Sequence, residues 1–176
     1  MARIKSYPLD TDIKASDKII GTDADTSNTK NFSLAGIKDF VNFKEDVVTV
    51  TTSELQNIGT TLKTIITTPA GEVTEIIGVL FKTDGNAALD QLVFTDNLVL
   101  VQNGETVTSG TAKWALPAAT ANLLGTKYYI PEHGYGLISA GAGADIVLKS
   151  AGSPTATGTP VMQLKIYIAY RSIPIS

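Results

Sequence analysis

Val161-Met162-Gln163-Leu164-Lys165-Ile166-Tyr167-Ile168-Ala169-Tyr170-Arg171 is the stretch that decides the fold. Met162, Leu164, Ile166, Ile168 and Tyr170 alternate with Gln163, Lys165, Tyr167, Ala169 and Arg171. A period of two held this long requires an extended strand with one buried face.

Working back from this strand, branched aliphatic runs predict further strands over 47–51, 62–68, 73–82, 92–94, 98–101, 127–130, 136–139 and Ile146–Lys149. The breaks carry turn chemistry in Pro69-Ala70-Gly71, Asp84-Gly85-Asn86, Asn103-Gly104 and Gly141-Ala142-Gly143. Asn103-Gly104 is the strongest hairpin signal. One short helix is predicted over 118–124, after Pro117. Many short strands at this spacing, with almost no helix, predict an all-β antiparallel sandwich, most simply a jelly roll. Within 73–82, Ile76-Ile77-Gly78-Val79-Leu80-Phe81 is apolar on both parities, which predicts cover on both faces. Tyr167 and Ala169, on the outer side of the last strand, point the same way, to a subunit interface or a covering loop.

The composition changes character at about Glu45. Of the 31 charged residues, 14 lie in the first 45 positions, seven of each sign. This divides the chain into a small α+β segment over 1–45 and a β body over 46–176. In the first, Ile19-Ile20-Gly21 and Lys30-Asn31-Phe32 read as the two arms of a hairpin around the polar turn 23–28. Ser33 is placed to cap a helix over 34–43, whose Leu34, Ile37, Phe40 and Val41 form an apolar stripe. So small a unit has too little apolar area to stand alone and is expected to lean on the body, on symmetry mates or on another protein, with the last two favoured. Asp23, Asp25 and Ser27 alternate as calcium ligands would. However, Asn28 and Leu34 occupy the positions where a calcium loop needs Gly and Glu, so a turn is the better reading.

Several function classes are disfavoured. A net charge of −3 without a basic cluster argues against nucleic-acid binding. The chain has no cysteine, which removes disulfides, thiolate nucleophiles and zinc–cysteine sites. Its first residues lack the apolar core of a secretory signal, and no apolar run approaches the roughly 20 residues that cross a bilayer. The single histidine, His133, can be written into a triad with Ser139 and Asp145, but no nucleophile elbow surrounds the serine. The chain therefore reads as a non-enzyme with neither cofactor nor metal. Trp114 and Tyr135 are the aromatic residues that could stack on a sugar, although a lone Trp more often fills a core.

Ile19-Ile20-Gly21-Thr22-Asp23-Ala24-Asp25, then Thr29-Lys30-Asn31-Phe32-Ser33-Leu34 with Ile37 and Phe40-Val41, resembles the N-terminal segment of structural proteins of tailed bacteriophages of Bacteroidetes, including the crAss-like group. Thr67-Thr68-Pro69-Ala70-Gly71-Glu72-Val73 and the closing strand to Tyr170-Arg171 are similar to stretches in phage β modules. Together these segments span about half of the chain. The resemblance implies a virion protein made in the host cytoplasm, a trimeric head fibre or capsid decoration docked on capsid or tail proteins. Ile19, Ile20, Phe32, Leu34, Ile37, Phe40 and Val41 would form the docking surface. A tail or baseplate ring component and a host-glycan-binding module are the alternatives.

Overall fold

The computed structural model describes residues 18–22, 29–34, 43–103, 114–131 and 142–175. The strand expected over 136–139, the turn 23–28, Gly104, His133 and most of the helix expected over 34–43 lie outside them. Leu34 is helical, and Phe43, expected near the end of that helix, belongs to the next strand. The chain divides into two compact units, Met1–Phe43 and Lys44–Ser176.

The first unit contains an antiparallel pair, β1 (Lys18–Thr22) and β2 (Thr29–Ser33), with Ile19 opposite Phe32 and Ile20 opposite Asn31. The second is built from β3 (Phe43–Val50), β4 (Lys63–Ile66), β5 (Glu72–Asp84), β6 (Leu92–Val93), β7 (Leu98–Gln102), β8 (Trp114–Leu116), β9 (Lys127–Tyr129), β10 (Ile146–Lys149), β11 (Thr155–Ala156) and β12 (Gln163–Pro174). Its helices are single turns, α1 (Thr52–Gln56) and α2 (Ala118–Ala121).

Two four-stranded sheets carry the body, in the orders β3-β12-β5-β9 and β4-β10-β7-β8. β6 and β11 form a separate small pair. Among the eight principal strands the first lies beside the last, the second beside the seventh, the third beside the sixth and the fourth beside the fifth. That nesting is one long double ribbon rolled over into two sheets, which is the jelly-roll topology. The longest ladder joins β5 to β12, running from Asp84 opposite Gln163 to Glu72 opposite Pro174.

Both sheets supply the core. Val79, Phe81, Leu164, Ile166 and Ile168 from one meet Ile65, Leu98, Leu100, Trp114, Leu116, Ile146 and Leu148 from the other in a single buried cluster. Each such side chain contributes roughly 1.5–3 kcal/mol when fully buried. The alternation read in β12 therefore holds, with Leu164, Ile166 and Ile168 inward and Lys165, Tyr167 and Ala169 outward.

The expectation for β5 needs correction. Its pairing with β12 shifts between Ala169 and Tyr170, so that Ile77 is an extra residue with no partner. This bulge switches the inward parity from Thr74 and Ile76 to Val79, Phe81 and Thr83. Much of the two-sided apolar pattern is thus one face read across a bulge, and Ile77 is left exposed. The strand buried on both faces is β7, where Leu98 and Leu100 enter the main core while Val99 and Val101 pack with Val147 and Ala115.

Two local features pin the loops. Asn86 is buried and donates from Nδ2 to the carbonyls of Leu92 and Ala121, while its Oδ1 accepts from the Leu92 amide. At the start of α1, Thr51 and Glu54 form a reciprocal capping box, and Leu55 behind them is fully buried.

Candidate docking surfaces

The β1–β2 pair is two strands wide, and neither of its faces is well covered. Cross-strand geometry puts Ile19 and Phe32 together on one side and sends Ile20 to the other. Ile20 is 72% exposed and Ile19 is 49% exposed, with Phe32 also exposed and Leu34 half-buried. A lone two-stranded ribbon is marginal in water, because it has no layer in which to bury such side chains. Of the expected docking residues, the structure brings together Ile19 and Phe32. Ile37, Phe40 and Val41 lie outside the described residues.

A second exposed apolar surface lies on the body, on the outer side of the β3-β12-β5-β9 sheet. Tyr167 stands opposite Leu80 and Ala169 opposite Gly78 on the outward parity of β12 and β5. Val47 from β3 and Ile130, just beyond β9, join them around an open groove of about 730 Å3. Val47, Ile130 and Tyr128 are all more than half exposed.

Charge is divided around this face. Glu45 borders the groove on the β3 side, on the outward parity that it shares with Val47. On the inward parity, burial, with the Asp46 carboxylate nearby, pushes the Tyr170 phenol up. Towards the other end of the ladder Lys165 stands directly opposite Lys82, and Lys82 opposite Tyr128. Like charges directly opposite repel. Asp84 relieves part of this by accepting from Lys82 Nζ at 3.3 Å and from Thr126 Oγ1 at 2.7 Å. The Thr126 hydroxyl, followed by the Lys82 ammonium, holds the Asp84 carboxyl below the usual carboxylate range, and Asp84 in turn raises Lys82. Lys82 Nζ also lies 5.9 Å from the centre of the Tyr128 ring, at the reach of a cation–π contact. Beyond the bulge Arg171 Nε donates to Glu75 on the same face.

Trp114 is not a stacking platform. It lies in β8, is 6% exposed and packs in the main core, so its ring presents no face to a sugar. Tyr135 lies outside the described residues. The exposed aromatic residue that the sequence reading passed over is Tyr128. Its parity shared with Ile130 was the available signal.

No protein-family model matches this chain, and no curated protein does. Among solved structures the chain is similar to one in the cyanophage Pam1 capsid asymmetric unit, with a TM-score of 0.44 and 15% identity. The match covers 74% of this chain and 84% of that one. A likeness of that degree assigns no role. Among the described residues no helix is long and apolar enough to cross a membrane.

Proposed function

We propose that this chain is a non-enzymatic virion structural protein of a tailed phage, a head fibre or capsid decoration held on the particle by its N-terminal unit. The observation that carries the reading is the exposure of Ile19, Ile20 and Phe32 on the two-stranded β1–β2 pair. Such side chains become ordered and buried when another protein covers them, at about 25 cal/mol for each Å2 of apolar surface covered. The body needs no such help, since its rolled ribbon encloses its own core. A self-sufficient body joined to a dependent appendage is the division of labour expected of a mounted protein. The sequence resemblance to structural proteins of Bacteroidetes phages supports the same reading, and implies assembly as a homotrimer. Mass spectrometry of purified particles tests the assignment. The chain should be recovered with the particle, whereas a chain beginning at Lys44 should fold but remain unattached.

A further inference from the structure

We propose that the outer face of the β3-β12-β5-β9 sheet is covered by a second copy of this chain, with the Glu45 corner of one copy set against the Lys82/Lys165 corner of the next. The proposal rests on the self-assembly part of the reading above and is independent of docking to a particle.

Three observations lead to it. Val47, Leu80, Ile130, Tyr167 and Ala169 form a contiguous apolar patch around an open groove, the kind of surface that soluble monomers seldom leave uncovered. The patch lies on a regular ladder rather than on loops, so it is preorganised and loses little freedom on binding.

The third observation selects the occupant. The polar border is split, with the exposed Glu45 by the β3 side and two lysines directly opposite one another towards the far end. From Ala169 to Lys165 is four residues, or about 13 Å along the strand. Asp84 accepts from Lys82 only, so a further carboxylate beside Lys165 relieves their repulsion. The molecule carries a suitable carboxylate, Glu45, at the opposite corner of the same face. A surface with apolar residues in the middle and opposite signs at its two corners is complementary to a rotated copy of itself. Such a contact closes into a symmetric assembly.

The test uses the full chain in sedimentation and native mass spectrometry at micromolar concentrations. The wild-type chain should associate, and Leu80→Lys should weaken association by at least about tenfold. A chain that stays monomeric overturns the proposal, as does one whose assembly is indifferent to Leu80→Lys. Should Leu80→Lys prevent folding, charge reversal decides. Lys82→Glu with Lys165→Glu should weaken association about tenfold, and adding Glu45→Lys should restore at least part of it. Failure to restore overturns the proposal. Loss of particle attachment with self-association intact would instead count only against the docking reading.

Discussion

The side-chain amide of Asn122 closes both hydrogen bonds on the backbone of Phe94. Its Oδ1 accepts from the Phe94 amide at 2.6 Å, and its Nδ2 donates to the Phe94 carbonyl at 2.9 Å. A side chain thereby does for Phe94 what a neighbouring strand does elsewhere, at the point where β6 gives out. Phe94 itself is buried in the core. Asn122→Ala leaves both backbone groups without their partner, and should cost about 2–3 kcal/mol in urea denaturation. Asn122→Asp keeps the acceptor and loses the donor, so it should fall between. A loss below about 0.5 kcal/mol for the alanine variant would contradict this role.

The bulge at Ile77 makes a deletion more instructive than a substitution. Removing Ile77 leaves Ile76, Val79 and Phe81 on the inward parity, because the extra residue is the one taken out. Removing Leu80 instead turns every residue on one side of the cut to the wrong face. The first variant should retain a cooperative thermal transition, and the second should lose it. Equal behaviour of the two would mean that the bulge does not set the parity.

Glycine is required at two positions for different reasons, and alanine substitution separates them. A Cβ at Gly59 would collide with the backbone of Gly152 and Ser153, which must move. Gly71 has a φ of 78° and open space around it, so alanine there meets only backbone strain. Gly71→Ala should cost about 1 kcal/mol, and Gly59→Ala at least twice that. The comparison is read from the two unfolding midpoints.

Glu54 gives stability a small acid dependence. Hydrogen bonding from Lys63 Nζ, then from the Thr51 backbone, holds its carboxyl below the usual range. A depressed carboxylate stabilises the fold above its unfolded pKa, and this is lost as pH falls through the folded value. Glu54 is partly exposed, so the effect is modest and weakens with salt. Glu54→Gln should lower the unfolding midpoint at about pH 7 and leave it unchanged at about pH 2. An equal drop at both would assign the effect to packing.

How much was legible depended on whether the signal was local. β10 was read to the residue, and the inward set of β12 followed directly from its alternation. The two-sided pattern of β5 was visible but misread, because a bulge is defined by the partner strand and not by the strand that contains it. β8 and β11 are two or three residues long and carry too little period to detect. The α1 turn was missed although Thr51 and Glu54 have the capping-box spacing, because the strand expected over 47–51 ran into it. The apolar outer face required knowing that Val47, Leu80, Ile130 and Tyr167 meet from separate strands, which only long-range pairing reveals. Ile19, Ile20 and Phe32 were picked out from the sequence, yet their exposure depended on finding that their sheet has only two strands among the described residues.

The most direct test is the occupancy of particles by the full chain carrying Ile20→Asp and Phe32→Asp, measured by quantitative mass spectrometry beside the wild-type chain. Both substitutions lie on exposed positions of the β1–β2 pair and leave the core of the body untouched. Docking through this unit predicts a fall in occupancy of at least about tenfold, with the unfolding transition of the body unchanged. Occupancy equal to that of the wild-type chain would contradict the account.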